Sequence, residues 1–158
     1  MILLLVAFLL DSILSNYFPY SISSLTWFQP CFFVVFLVFL YFKVKRKDIY
    51  LKKGIFYIIL GSLIFGNSIF LKLISFVFIF LFLAFITKKY HSNIKIFLIS
   101  LISSLFIHFY TTYLISLVFR KITFSFIDLL WLFIHYILFN IISGICFYYF
   151  FGIKKLKN

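Results

Sequence analysis

The chain has very few acidic side chains, cysteines, prolines and glycines. Its 158 residues include three Asp or Glu, two Cys, two Pro and five Gly, and charged residues make up 11% of the total. Soluble domains carry roughly a quarter charged residues, so this chain has too little polar side chain to cover a globule in water. The composition therefore excludes a soluble enzyme, a disordered tail and a disulfide-rich scaffold.

The scarce residues also form no recognised site for chemistry. Cys31 and Cys146 lie in or beside apolar runs, far apart and without metal-ligand spacing, so we expect two buried thiols. The sequence contains no phosphate-binding glycine motif, zinc signature or nucleophile elbow. We therefore expect no catalytic site, no cofactor and no bound metal, and a protein that is not an enzyme.

Apolar residues are abundant instead. They make up 66% of the chain, 27 of them are Phe, and the mean hydropathy is +1.23. A helix needs about 20 apolar residues to cross a hydrocarbon core of about 30 Å. Six runs come close to that length, and they are Ile2–Phe18, Leu25–Phe42, Gly54–Phe70, Leu73–Ile86, Ile96–Phe119 and Phe126–Phe151. The sequence thus predicts an all-α membrane protein with six transmembrane helices, forming a single integral membrane domain over residues 1–158.

Basic residues are concentrated in alternate connections between these runs. Twelve of the fifteen Lys and Arg follow the second, fourth and sixth runs; these are Lys43, Lys45, Arg46, Lys47, Lys52, Lys53, Lys88, Lys89, Lys95, Lys154, Lys155 and Lys157. Short loops rich in Lys and Arg stay in the cytoplasm, which places both termini there. The net charge of +12 is then explained by topology and contact with anionic lipid, and it requires no nucleic-acid partner.

A few polar residues interrupt the spans. Asp11 in the first span suits either a proton or cation site or a contact within the helix bundle, beside Ser12 and Ser15, and we favour the contact. On the last span, His135 and Asn140 share a polar arc that begins at Asp128. Such residues suit either a cavity or helix packing, and we favour packing.

Two surfaces are predicted to dock helices. Ser100, Ser104, His108 and Thr112 recur at every fourth residue of the fifth span and so share one side of it. Gly61 and Ser62 form a second small surface on the third span.

Helix-breaking residues predict where two of the helices begin or end. Pro30 predicts the first turn of the second helix, because proline is favoured there. Gly66, Asn67 and Ser68 predict a tight turn between the third and fourth helices.

In order and spacing, these features resemble the MreD family, the small membrane subunit of the bacterial cell-elongation machinery. The likeness covers nearly the whole chain. It rests on the short first span, the proline-led aromatic run QPCFFVVFLVFLYF, a basic loop followed by GIFYIILGSLIFGNS, and the basic tail FGIKKLKN. Ile58 and Ser62 stand where the family usually has a second glycine and an acidic residue, so a role of that acid is not carried over to this chain.

The resemblance implies a non-catalytic scaffold in the bacterial plasma membrane that binds MreC. Through MreC or directly, such a protein works with MreB, RodA and the transpeptidase that build the lateral wall. It also implies a fold like that of substrate-binding subunits of vitamin uptake transporters. The main alternative is such a substrate-binding subunit itself, and a further one is a proton-coupled carrier using Asp11, His108 and His135.

Overall fold

A computed structural model of the chain describes residues 2–17, 31–44, 46–65, 69–90, 93–118 and 126–150. This part of the chain is helical and has no strands. The helices are α1 (Ile2–Tyr17), α2 (Phe32–Lys43), α3 (Lys47–Phe65), α4 (Ile69–Lys89), α5 (Ile94–Val118) and α6 (Phe126–Phe150). The all-α prediction is confirmed for these residues.

Helix α2 is the centre of the bundle. It contacts α1, α3, α5 and α6. Around it, α1 packs on α3, α3 on α4, α4 on α5 and α5 on α6. Ten successive residues of α2, Phe33 to Phe42, are buried. A helix that is apolar on every side suits such a position, because it has no face that needs water.

Three helices differ from their predicted limits. Helix α2 begins at Phe32, because the backbone of Cys31 is not helical (φ −135°, ψ 63°). Pro30, which was predicted to lie in its first turn, is outside the described residues. Helix α3 begins at Lys47, seven residues before the predicted start, and turns most of the basic connection into helix. Helix α4 runs from Ile69 to Lys89 and is longer than the predicted span at both ends. Lysine is a good helix former, which favours both extensions.

The break between α3 and α4 is present, since α3 ends at Phe65 and α4 begins at Ile69. The proposed turn residues Gly66, Asn67 and Ser68 lie outside the described residues.

Glycine allows two pairs of helices to approach closely. A Cβ on Gly61 of α3 would lie 2.7 Å from the ring of Phe8 on α1. A Cβ on Gly144 of α6 would overlap a methyl carbon of Leu101 on α5. A larger residue at either position would force its neighbour to move, so glycine lets these helices pack at their present separation.

One described helix is long and apolar enough to cross a membrane: residues Ile94–Ile115 of α5. The apolar segments Phe32–Lys43 and Ile137–Phe150 are shorter. At about 1.5 Å per residue, the 12 residues of α2 cover only about 18 Å, well below the thickness of a hydrocarbon core. Helix α2 therefore begins part of the way along the longer helices around it.

Candidate functional site

The carboxylate of Asp11 on α1 caps the start of α2. Its Oδ1 accepts a hydrogen bond from the backbone N–H of Phe32 at 2.7 Å, and its Oδ2 accepts one from Phe33 at 2.9 Å. Both N–H groups belong to the first turn of α2, where the helix has no carbonyl to accept them. A carboxylate also complements the positive end of the helix dipole. The side chains of Ser12 and Ser15, expected beside Asp11, lie outside the described part of the chain.

Asn140 on α6 completes this cap. Its Oδ1 accepts a hydrogen bond from the backbone N–H of Cys31 at 2.7 Å, and its side chain is fully buried. Three successive N–H groups at the start of α2 are thus bonded to side chains from two other helices. Cysteine is not a preferred N-cap residue, so remote side chains do the capping here.

A lysine lies beside the same helix end. Lys72 on α4 places its Nζ 4.0 Å from the ring centre of Phe8 and 5.2 Å from that of Phe33. An ammonium over aromatic faces is stabilised by about 0.5–2 kcal/mol. Lys72 also interacts electrostatically with Asp11. The aromatic rings and the nearby carboxylate together offset the cost of placing this cation inside the bundle.

His108 on α5 adds the fourth polar side chain. Its ring centre is 5.6 Å from that of Phe33, and its Nδ1 is buried without a hydrogen-bond partner among the described residues. We call Asp11, Lys72, His108 and Asn140 the α2-start cluster. Its acid and amide oxygens accept hydrogen bonds from α2, whereas the imidazole Nδ1 is buried with no hydrogen-bond partner among the described residues, so it has capacity for a further polar contact.

The other end of α2 is held by Lys47, which begins α3. Its Nζ donates to the carbonyl oxygen of Tyr41 and, at 3.0 Å, to that of Val44, and it lies 3.8 Å from the ring centre of Tyr41. These carbonyls belong to the last turn and the C-cap of α2, where a cation suits the helix dipole. Lys47 precedes the apolar run Gly54–Phe70, and burial lowers its pKa to about 8.

Two tyrosine hydroxyls tie α2 to its neighbours near this end. Tyr41 is hydrogen-bonded to Thr87 of α4, with 3.1 Å between the hydroxyl oxygens. Tyr50 of α3 is fully buried and donates to the carbonyl oxygen of Leu37 at 3.0 Å. These two hydroxyl groups therefore join α2 to α4 and to α3 by hydrogen bonds.

The first predicted docking surface is used inside the chain. Ser100 and Ser104 are fully buried, and their hydroxyls have no hydrogen-bond partner among the described residues. Thr112 donates to the carbonyl oxygen of His108 on its own helix, at 2.8 Å. The stripe therefore provides close packing within the bundle, and it does not offer a free face to another protein.

The second predicted docking surface is also internal. Gly61 packs against Phe8, and Ser62 is 2% exposed with an unpaired hydroxyl in the described part of the chain. The small residues of both predicted docking surfaces thus lie at contacts between helices of this chain. Small residues allow close approach of any neighbouring helix, whether it belongs to the same chain or to a partner.

The remaining predicted residues are dispersed. Cys31 is buried, but Cys146 lies exposed on α6, which corrects the expectation of two buried thiols. The side chains of Asp128 and His135 lie outside the described residues, as do Lys45 and residues 151–158. In the described part of the chain, no group of three His, Cys, Asp or Glu residues is placed to hold a metal ion.

The role of Lys72 and the joint cap are not among the sequence predictions. The position of Lys72 inside the apolar stretch from Ile69 to Ile86 is a signal that it needs partners. Asn140 and Asp11 are predicted as polar residues within spans, but nothing in the sequence links them to Cys31 and Phe32. Those pairs are 109 and 21 residues apart, so no local pattern records them.

No family model, no curated protein and no solved structure matches the chain.

Proposed function

We propose that the chain crosses the bacterial plasma membrane six times, with both termini in the cytoplasm. The outer surface of the bundle supports this placement, since large apolar side chains are exposed on every helix except α2. Phe70, Phe85 and Phe150 are 67%, 67% and 85% exposed. In water such surface would drive aggregation, whereas in lipid it is solvated. The exposed cations gather where α2 and α4 end and α3 and α5 begin, as the rule for cytoplasmic loops expects.

Within that membrane, the protein acts as a non-catalytic scaffold of the cell-elongation machinery and binds MreC. The observation that carries this proposal is the pair of hydrogen bonds that the Asp11 carboxylate accepts from the backbone N–H groups at the start of α2. The one carboxylate described inside an apolar span is used to hold a helix in place, which supports an architectural role over proton or ion transport. The resemblance to the MreD family supplies the identity of the partners, with MreB, RodA and the transpeptidase reached directly or through MreC.

Partner contacts must then be made through outward faces and short connections. Crosslinking in native membranes tests this directly, with a photoreactive amino acid placed at outward positions. Phe56 on α3 and Phe85 on α4 are 58% and 67% exposed, and fully buried Phe39 on α2 is the matched control. We expect MreC to be captured from at least one outward position and not from Phe39. Capture of transporter subunits with no cell-wall protein would refute the scaffold role.

A substrate-binding subunit of a vitamin transporter is the second candidate, and one observation favours it. His108 has a buried, unpaired Nδ1 in the described part of the chain and lies beside Phe33 at the start of α2. Ligand sites in membrane bundles use such convergent polar groups among aromatic rings.

Thermal unfolding with added vitamins tests this candidate. A true ligand raises Tm in proportion to the logarithm of its concentration. For a ligand held by the imidazole, we expect the His108→Leu variant to lose that rise. If none of the water-soluble vitamins shifts Tm at millimolar concentration, the transporter candidate is rejected.

A further inference from the structure

The end of the bundle where α2 and α4 end carries a dense patch of exposed lysines. Lys43 lies in the last turn of α2, Lys88 and Lys89 lie in the last turn of α4, and Lys95 lies in the first turn of α5. All four are exposed, and we call them the basic corner. None of them takes part in an ion pair among the described residues, since the single ion pair there joins Arg46 and Asp48 at 2.9 Å.

Contacts between the helices bring these lysines together. Tyr41 is hydrogen-bonded to Thr87, which places the end of α2 beside the end of α4, next to Lys88. The rings of Phe42 and Phe97 are 5.7 Å apart, which places the same end of α2 beside the start of α5, next to Lys95. The corner is therefore a surface built by three helices, although its residues are separate in sequence.

Exposed tyrosines lie at the same level. Tyr90 is 48% exposed, and the Nζ of Lys89 is 5.6 Å from its ring centre. Tyr149 near the end of α6 is 58% exposed, and its neighbour Tyr148 packs on Phe97 at the start of α5. Tyrosine concentrates where lipid headgroups meet the hydrocarbon. Cations beside exposed tyrosines are the combination expected where lipid phosphate groups lie.

We propose that the basic corner binds the phosphate of an anionic phospholipid headgroup. Four exposed lysine ammonium groups lie at this corner with no described carboxylate among them, so the described chain leaves their positive potential unbalanced and that potential favours an anion. The lysine stems can rest on apolar surface while the ammonium groups reach the headgroup, as Lys43 does with its Nζ 5.5 Å from the ring centre of Phe39. The proposal depends on membrane placement but not on the scaffold role.

The α3 side of the same end provides a matched comparison. Lys52 and Lys53 are also exposed, but Arg46 on that side is paired with Asp48. Arg46 holds the pKa of Asp48 below its usual range through a hydrogen bond, so this carboxylate stays ionised and reduces the local positive potential. The α3 side should therefore attract an anionic headgroup less strongly than the basic corner.

Native mass spectrometry on protein reconstituted with mixed lipids tests the proposal. Wild type is expected to retain phosphatidylglycerol or cardiolipin in preference to phosphatidylcholine. Each lysine near an anionic surface changes binding about fivefold, so Lys88→Gln, Lys89→Gln and Lys95→Gln together should weaken retention about a hundredfold. Lys52→Gln with Lys53→Gln should weaken it several-fold less, and Asp48→Asn should strengthen it slightly.

Three outcomes overturn the proposal. One is equal retention of anionic and zwitterionic lipid by wild type. Another is equal loss from the Lys52 and Lys53 substitutions, which would mean diffuse charge attraction rather than a built corner. The third is full displacement of the lipid by soluble glycerol phosphate, which would identify a free phosphate compound as the ligand. Circular dichroism and Tm of each variant in detergent establish that folding is unchanged.

Discussion

The two ends of α2 are held by different kinds of contact. At its start, Asp11 and Asn140 arrive from α1 and α6 and accept the hydrogen bonds of three backbone N–H groups. At its end, Lys47 follows only a few residues later in the chain and donates to two carbonyl oxygens. One end depends on the assembly of the whole bundle, and the other forms from a single connection.

The two ends of α2 should therefore contribute differently to the free energy of unfolding. Unpaired backbone groups are tolerated at a wet helix end, because water replaces the lost partner. At a buried helix start within a membrane bundle, no such replacement is available, and each unmet N–H costs stability. We therefore expect the start of α2 to be far more sensitive to substitution than its end.

Asp11→Ala is the substitution with the largest expected effect. It removes the acceptors of two N–H groups, and each unmet group costs about 1–3 kcal/mol, so the free energy of unfolding should fall by about 2–6 kcal/mol. Reversible unfolding in mixed detergent micelles measures this loss. Asp48→Ala removes an exposed carboxylate and is the control, with an expected change within about 0.5 kcal/mol. Equal losses from the two variants would contradict the comparison.

Asn140→Ala should have the next largest effect. It removes the acceptor of one buried N–H, that of Cys31, and should lower the free energy of unfolding by about 1–3 kcal/mol. Because Asn140 and Asp11 hold adjacent groups of one helix end, the double variant should be non-additive by at least about 0.5 kcal/mol. Strict additivity in the same unfolding assay would show that the two side chains do not act as one cap.

Tyr50→Phe tests the hydrogen bond that ties the middle of α2 to α3. It removes a buried hydroxyl that donates to Leu37 while keeping the ring, and should cost about 0.5–1.5 kcal/mol of unfolding free energy. Tyr110→Phe on the exposed surface of α5 is the matched control and should change little. A larger loss from Tyr50→Phe than from Asp11→Ala would contradict the expectation that the start of α2 is its most sensitive part.

Lys47→Met should have the smallest effect near neutral pH. A cation at a helix end contributes about 0.3–1 kcal/mol. The pKa of Lys47 is lowered by burial to about 8, against an ordinary value near 10.5, so the unfolded state binds more protons between these values. Its contribution to stability should therefore increase as pH rises from about 8 to 10.5.

Unfolding of wild type, Lys47→Met and the exposed control Lys53→Met at several pH values measures this trend. The stability difference between wild type and Lys47→Met should move in favour of wild type across that range. The difference between wild type and Lys53→Met should not follow the same course. A flat difference for Lys47→Met would show that its burial does not influence its protonation.

Much of the secondary structure was predictable, because apolar runs act locally. The limits of α1, α5 and α6 differ from prediction by at most two residues where the chain is described. The limits of α2, α3 and α4 differ more. Helix α2 starts at Phe32 where Asp11 and Asn140 supply caps, and α3 and α4 include basic residues that the sequence predicts to lie in connections.

The candidate site was predictable in its members but not in its geometry. Asp11, His108 and Asn140 were recognisable because polar residues are costly in lipid. Their grouping with Lys72 around the start of α2 follows from the packing of five helices. The serine and glycine surfaces were predictable in the same partial way. Small side chains predict that another helix packs closely there, but they do not identify that helix.

Composition and position along the chain were enough to predict the helical class of this protein and the segregation of its basic residues. The tertiary structure decided which residues meet. It placed α2 at the centre, assigned the capping of its start to side chains 21 and 109 residues away, and gathered four lysines from three helices into one corner. The hydrophobic effect has no direction, so it can bring helices together without specifying their neighbours. Hydrogen bonds and charged groups need partners at defined distances, and only the packed bundle supplies such partners.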